Sequence, residues 1–224
     1  MKNVNAGVLH AMKSGQQDRA TELAIPIISS SEESSKLVPI GSWIFSRQDL
    51  IESMASWRER SMRFFLAQFE ASASLMTSYL EKYAVGDPNR ILFLIFVEGR
   101  PLGHIGLANV TSGEAEVDNM IRGAPGGSSS LMADSELALL NWAVDEMGIG
   151  SFQLRIQSRN FLAKRIHAQL GFRVTESLTL RRTQLNGMEF LEPCDASQAT
   201  ETFSLEVMQL ESGEIRGRGG IEIF

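Results

Sequence analysis

The 224-residue sequence has one cysteine, three histidines and no long apolar run, and each shortage excludes a class of protein. Cys194 alone cannot form a disulfide within the chain or a thiolate metal cluster. His10, His104 and His167 are far apart and lack metal-ligand spacing, so we expect no metal. The longest apolar run, residues 91–97, is too short to cross a bilayer, and the first residues show no signal-peptide pattern. We therefore expect a cytoplasmic protein with no membrane partner.

A basic surface is also lacking. Lys and Arg number 21 against 27 Asp and Glu, a formal net charge of −6. Proteins that neutralise nucleic-acid phosphates need a basic face, so we expect no nucleic-acid partner. The hydrophobic fraction of 43% is sufficient for a sizeable core.

Composition shifts suggest the limits of the folded domain. Residues 29–35 read Ser-Ser-Ser-Glu-Glu-Ser-Ser, a polar stretch typical of a linker or loop. We predict a partly flexible N-terminal extension over residues 1–36, one domain over 37–210 and a tail over 211–224.

The apolar periodicity predicts alternating helices and strands. Residues 47–83 contain no Gly or Pro and repeat apolar residues at helical spacing, which indicates one or two amphipathic helices. Residues 91–97 are continuously apolar, as in a strand buried on both faces, and an antiparallel meander follows. The strands of the meander are predicted at 102–110 and 115–122. A helix follows that ends at Gly148 and carries Leu137, Leu140, Val144 and Met147 on one face. The last predicted elements are a strand at 151–157, a helix from about 160 to Leu170, a hairpin at Asn186-Gly187 and a strand at 203–210.

A glycine-rich loop precedes the first helix after the meander. Residues 126–130 read Gly-Gly-Ser-Ser-Ser, and exposed amides at a helix start attract phosphate groups. Asp134 and Glu136, near the start of this helix, complement its dipole. The alternative is a flexible connection, since the loop matches neither the P-loop nor G-x-G-x-x-G.

The next helix carries a recognisable pattern. Residues 158–172 read Ser-Arg-Asn-Phe-Leu-Ala-Lys-Arg-Ile-His-Ala-Gln-Leu-Gly-Phe, which resembles the signature of the GNAT superfamily of acetyl-CoA-dependent N-acetyltransferases. Residues 91–180 also fit that family's order of strands and helices. The resemblance implies a mixed α/β (α+β) fold with a mostly antiparallel central sheet flanked by helices, and acetyl-CoA as cosubstrate.

The resemblance also implies positions for coenzyme A. Asn160 stands at the family position that hydrogen-bonds the pantetheine arm, and Ile121 lies in the central-strand segment, residues 119–121, whose backbone N–H the family uses as the oxyanion donor. Two departures from the family pattern are Arg122, one residue too far from the loop glycines, and Pro125 inside the loop. The pyrophosphate would be held by the backbone amides of Gly126, Gly127, Ser128 and Ser129.

Direct attack of an amine on a thioester needs a base, an acid and an oxyanion donor. His167 stands where the family often has the Tyr that protonates the coenzyme A sulfur; a polar residue facing solvent or capping a neighbour is the alternative. Glu116 and Asp118, on one face of their strand, or His104 would serve as the base, unless each is structural. The resemblance places the oxyanion donor within residues 119–121.

The acceptor is expected to be a primary amine of a small molecule. In this family the acceptor is set by the region before the meander, here residues 43–83, where Arg58, Arg60 and Arg63 lie beside aromatic residues. Arg and rings together suit an anionic acceptor such as a nucleotide-linked amino sugar. A helix with a solvated basic face is the alternative interpretation. A noncatalytic acyl-CoA-binding sensor or partner module is the alternative function, and a homodimer is left open.

Overall fold

A computed structural model describes residues 4–28, 33–185 and 187–217. Its helices are α1 (Val4–Lys13), α2 (Gln17–Glu22), α3 (Gln48–Ser61), α4 (Ala73–Tyr79), α5 (Leu131–Met147) and α6 (Phe161–Leu170), and Leu80–Val85 continues α4 as a π-helix. Its strands are β1 (Ile25–Pro26), β2 (Ser35–Pro39), β3 (Ala67–Gln68), β4 (Ile91–Val97), β5 (Arg100–Ala108), β6 (Glu114–Arg122), β7 (Ser151–Gln157), β8 (Arg173–Leu178), β9 (Leu180–Leu185), β10 (Met188–Pro193) and β11 (Leu205–Glu211).

In the described part of the chain the strands form two sheets. The larger sheet has eight strands in the order β1-β2-β4-β5-β6-β7-β11-β8, and the smaller has the order β3-β10-β9. Neighbours in the larger sheet are antiparallel except β6 and β7, which are parallel and joined through α5. The predicted meander of β4, β5 and β6 is confirmed, as is the mixed, mostly antiparallel α/β fold.

Strand β4 separates two hydrophobic cores. Phe93 and Ile95 are fully buried in a core with residues of α1 and α5, whereas Leu92 and Leu94 pack with residues of α3 and α4 on the other face. The continuous apolar run is therefore a strand covered on both sides, as predicted. The sheet lies between two layers of helices.

Helix α5 ends where the sequence predicts, and its buried face is wider than the predicted one. Gly148 adopts φ +65 after the last turn, a conformation that glycine takes with little strain. Leu140 and Met147 of the predicted face are buried, while Leu137 and Val144 are only half buried. Leu139 and Ala143, outside the predicted face, are fully buried as well. The inward face is wider than one stripe because α5 packs against the sheet and α6 together.

The N-terminal residues differ from the predicted extension. Helix α1 buries Leu9 and Met12 in the core beside α5, and β2 begins at Ser35 inside the larger sheet. Lys13 Nζ donates to three backbone carbonyls between residues 85 and 90, at 2.7–3.1 Å. Packing thus begins well before residue 37, because α1 and β1 cover apolar surface that the sheet would otherwise expose. Part of the serine-rich stretch, residues 29–32, lies outside the described residues.

The C-terminal elements follow the predicted order. β9 and β10 form the predicted hairpin, with Leu185 paired to Met188; Asn186 lies outside the described residues. β11 is confirmed and lies between β7 and β8. Past the strand, the Arg216 N–H donates to the Leu170 carbonyl at 3.0 Å, and residues 218–224 of the predicted tail are likewise outside the description.

Candidate active site

A large cavity opens where β6 and β7 part. Three residue pairs join these strands, from Glu114↔Ser151 to Glu116↔Gln153, although both strands continue further. The cavity has a volume of about 980 Å³ and is lined by the free ends of both strands, by α3, α4 and α6, and by β10. The gap between two neighbouring strands therefore creates the pocket.

A β-bulge in β6 faces this cavity. His104 of β5 pairs with Ile121, and Gly106 pairs with Asp118. Asn119 and Met120 of β6 therefore lie together opposite Ile105 of β5. Asn119 has φ +53, a left-handed conformation that is uncommon outside glycine. A bulge removes backbone groups from the ladder and re-aims them. The bulge falls within residues 119–121, where the family resemblance implies a backbone donor.

His104 is buried beside the bulge. Its Nδ1 donates to the Asn119 carbonyl at 2.7 Å, and its Nε2 is buried without a hydrogen-bond partner among the described residues. Burial lowers the pKa of His104 to about 4, and the positive charge of Arg58 acts in the same direction. The ring is therefore neutral at physiological pH, with the lone pair of Nε2 available as an acceptor.

Two carboxylates of β6, Glu116 and Asp118, line the cavity, and each is paired with arginine. Glu116 receives two hydrogen bonds of 3.0 Å from Arg155 and one of 2.8 Å from Asn109. Asp118 is ion-paired with Arg90 through Oδ2. Within the described chain no hydrogen bond reaches Asp118 Oδ1, so Asp118 keeps one oxygen for a ligand, whereas both oxygens of Glu116 are occupied.

Several polar residues of the site were missed by the sequence analysis. Tyr79 Oη accepts a hydrogen bond of 2.8 Å from Asn119 Nδ2, and burial raises the pKa of Tyr79 to about 12. Arg90, which precedes β4, reaches across to β6. These contacts join residues that are 28 and 40 positions apart, so no local pattern marks them.

The arginine- and aromatic-rich segment divides between cavity and core. Arg58 lies 3.3 Å from the centroid of the Phe65 ring; burial lowers its pKa to about 10, which leaves it charged at neutral pH. Trp57 is a buried core residue, and Arg60 donates to the Gly123 carbonyl at 2.5 Å. Within α3, Arg58 therefore lines the cavity, whereas Trp57 belongs to the core. The aromatic residues that line the cavity are Phe64, Phe65, Phe69, Tyr79, Tyr83 and Phe190.

The glycine-rich loop lies at the other end of the cavity, where Ser129 lines it. Gly126 and Gly127 have φ values of +120 and +68. In the described structure the amides of residues 126–129 donate no hydrogen bond to the protein. Arg122 reaches the loop despite its unusual spacing and donates to the carbonyls of Gly126, at 2.6 Å, and Ser128, at 3.3 Å. The loop thus presents free N–H groups beside a guanidinium.

His167 and Glu136 form a buried pair between α6 and α5. His167 Nδ1 lies 2.7 and 2.9 Å from the two carboxylate oxygens, and the exposed fractions of the residues are 4% and 0%. The ring also packs edge-on against Phe172. His167 lines the cavity, as does Asn160 at the start of α6. His167 therefore does not face solvent, and Glu136, assigned to the helix dipole from the sequence, is a buried partner instead.

The described residues contain neither a membrane-spanning helix nor a metal-ligand cluster. None of their helices combines the length and apolarity needed to span a membrane. No group of three or more His, Cys, Asp or Glu side chains among them is arranged to hold a metal ion.

Known proteins share this architecture. Residues 44–173 match the family model described as an acetyltransferase (GNAT) domain. A probable GNAT-family acetyltransferase from Chromobacterium violaceum is 14% identical with a TM-score of 0.62, covering 85% of this chain and 87% of that one. Spermidine N-acetyltransferase from Vibrio cholerae, solved with CoA and spermine, is 13% identical with a TM-score of 0.59, covering 80% and 96%. Apo FdhC, a nucleotide-linked sugar GNAT, is 10% identical with a TM-score of 0.57, covering 85% and 89%. No curated protein sequence matches the chain significantly.

Proposed function

The chain belongs to the GNAT family of acetyltransferases, and from that premise we propose that it acetylates a primary amine on an anionic, ring-bearing small molecule. A nucleotide-linked amino sugar has this chemistry. The observation that carries the proposal is the lining of the cavity, where cationic side chains such as Arg58 and Arg90 lie beside aromatic rings. Guanidinium groups bind phosphate oxygens, and aromatic faces stack on a base or sugar ring.

The loop and α6 fit acetyl-CoA, which supplies an activated acetyl thioester. Free amides at a helix start suit a pyrophosphate, and Arg122 adds positive charge there. A Cβ on Gly127 would lie 3.0 Å from Leu131 Cδ2, so the loop needs glycine at this left-handed position. The amides of residues 126–129 would hold the pyrophosphate, and Asn160 would bind the pantetheine arm.

The two proton transfers of the reaction are assigned to different residues, one on β6 and one on α6. Asp118 is the favoured base, directly or through water, because its Oδ1 is free of protein partners in the described structure whereas Glu116 is occupied. His104 is a weak base at neutral pH, given its pKa of about 4, and serves better as a hydrogen-bond acceptor. His167 gives a proton to the leaving sulfur, and an N–H of the bulge within residues 119–121 stabilises the developing oxyanion.

Charge in the cavity favours an anionic acceptor over a polyamine. Among the described residues the lining includes five cationic side chains, Arg58, Lys82, Arg90, Arg122 and Arg155, against two carboxylates, Glu116 and Asp118. Both carboxylates are already paired with arginine. The aromatic wall offers stacking surfaces for a base or sugar ring. An acceptor with phosphate groups would therefore be bound more favourably than spermidine.

A two-step experiment tests the proposal. Acetyl-CoA at about 100 times its dissociation constant should add about 2.7 kcal/mol to the stability, seen as a rise in melting temperature. Thiol release is then followed with a nucleoside-diphosphate amino sugar, the free amino sugar and spermidine. The nucleotide-linked amine should be the best substrate. A thermal shift without transfer to any amine would support the acyl-CoA sensor instead, and a preference for spermidine would refute the anionic acceptor.

Arg58→Met provides a sharper test of the acceptor site. Loss of a charge-assisted hydrogen bond of about 1.5–3 kcal/mol should lower kcat/KM for the nucleotide-linked amine roughly 10- to 100-fold. The KM for acetyl-CoA should stay unchanged. Arg63→Met is the matched control, because Arg63 is exposed and does not line the cavity. Equal losses in both variants would argue against a specific anion contact.

A further inference from the structure

Glu136 is a carboxylate buried among apolar side chains of α5. It occupies the face of α5 that also carries Leu139, Leu140 and Ala143, all fully buried. An ionised carboxylate in such a place is strongly disfavoured unless it is paired and hydrogen-bonded. Its hydrogen-bond partner is His167, which touches the cavity while Glu136 lies behind it.

The pairing determines which ring nitrogen of His167 faces the reaction. An ionised carboxylate only accepts hydrogen bonds, so the proton of the 2.7 Å contact lies on Nδ1. Nε2 is the ring nitrogen left for the cavity. The edge-on contact with Phe172, at 72° and 5.8 Å between ring centroids, restrains rotation of the ring. Tautomer and orientation are therefore set from outside the cavity.

We propose that Glu136 is a positioning residue for catalysis, which holds His167 with Nδ1 protonated and Nε2 aimed at the leaving sulfur. The inference rests on the proposed function, in which His167 is the acid. The amine nitrogen forms a bond to the acetyl carbon while the carbon–sulfur bond breaks. The protonated His167 ring gives its Nε2 proton to the sulfur, and the resulting neutral ring keeps its Nδ1 proton, which stays hydrogen-bonded to Glu136. Of the two protons lost by the ammonium group, one replaces that of His167 and the other passes to solvent.

A purely structural pair would behave differently. A contact that only ties α5 to α6 would change stability when it is removed, with no special effect on turnover. A positioning residue acts through His167 alone, so its effect must vanish once His167 is replaced. The two roles are separated by kinetics of single and double variants.

The kinetic test compares Glu136→Gln, His167→Gln and the double variant with the amine that is acetylated fastest. Glu136→Gln keeps the size of the side chain but removes the negative charge that favours the protonated ring, and a neutral imidazole is a much weaker acid. We expect kcat to fall at least about 100-fold with the KM for acetyl-CoA within about twofold. Glu136→Asp should recover part of the rate, and the double variant should be no slower than His167→Gln. Glu146→Gln, an exposed site on the same helix, is the control.

A tautomer measurement tests the arrangement without relying on turnover. The chain has three histidines, so nitrogen-15 labelling of the rings gives few signals, and His167→Gln identifies that of His167. Across a pH series, the wild-type ring should carry protons on both nitrogens in its acid form and keep the Nδ1 proton once it is deprotonated, and Glu136→Gln should lose this preference. A deprotonated wild-type ring with its proton on Nε2 instead of Nδ1 would overturn the inference, as would a kcat within about threefold of wild type for Glu136→Gln. If no amine is acetylated by the wild type, the proposed function fails, and the ring signals alone decide the positioning.

Discussion

Replacing His167 by phenylalanine would leave the carboxylate of Glu136 buried without its partner. The two residues are 4% and 0% exposed, so water cannot take the place of the ring. Removing one member of a buried pair costs about 3–5 kcal/mol, because the other charge stays desolvated. For a domain of this size each kcal/mol lowers the melting temperature by about 2–4 °C. We therefore expect the variant to melt about 6–20 °C below the wild type.

The compensating variant separates a lost charge partner from a steric effect. In Glu136→Leu with His167→Phe, both polar groups are replaced by apolar ones of similar size, and such replacements of buried pairs are often neutral or stabilising. The double variant should regain most of the loss in calorimetry and urea unfolding. Arg19→Met, which breaks an exposed pair with Glu22, should change stability by less than about 1 kcal/mol. A His167→Phe variant within about 1 kcal/mol of the wild type would refute the reasoning, as would a double variant as unstable as the single one.

Two further predictions concern His104 and the glycine-rich loop. Below about pH 6.5 the unfolded chain protonates His104 while the folded chain, with its pKa of about 4, does not, so this residue removes about 3 kcal/mol of stability by pH 4. His104→Asn retains a donor for Asn119 without titrating, and urea unfolding from pH 7 to 4 should show a shallower decline than in the wild type; equal slopes would contradict this. Gly127 and Gly148 have nearly the same φ, +68 and +65, so replacing either by alanine should cost a similar amount of stability, about 1–2 kcal/mol. In calorimetric titration Gly127→Ala should bind acetyl-CoA more weakly than the wild type, whereas Gly148→Ala should bind it normally. Equal affinities in the two glycine variants would show that the loop does not hold the cosubstrate.

Sequence patterns predicted those parts of the molecule whose structure is decided locally. The run 91–97 could be identified as a buried strand because its apolar residues are continuous, and Gly148 marks a helix end through its conformational freedom. The signature in α6 also placed Asn160 and His167 beside one cavity. In each of these cases the information lies within a few neighbouring residues.

The contacts that complete the site could not be predicted in this way. Tyr79, Arg90 and Glu136 reach their partners through tertiary packing, and nothing in the neighbouring sequence distinguishes them from surface charges or core residues. The N-terminal boundary was misplaced for a related reason. Helix α1 is only ten residues long, so its role becomes visible only once the sheet that it covers is present.

The smaller sheet has a consequence for how the protein matures. Strand β3, in the connection between α3 and α4, is hydrogen-bonded to β10, and residues of both strands line the cavity. Glu189 pairs with Gln68, so the partner of β3 is synthesised more than a hundred residues after it. During translation the glycine-rich loop proposed to bind acetyl-CoA is made before β10 can complete the wall of the cavity. A nascent chain halted between α6 and β10 would therefore carry the elements proposed to bind acetyl-CoA while one side of the proposed acceptor pocket was still open.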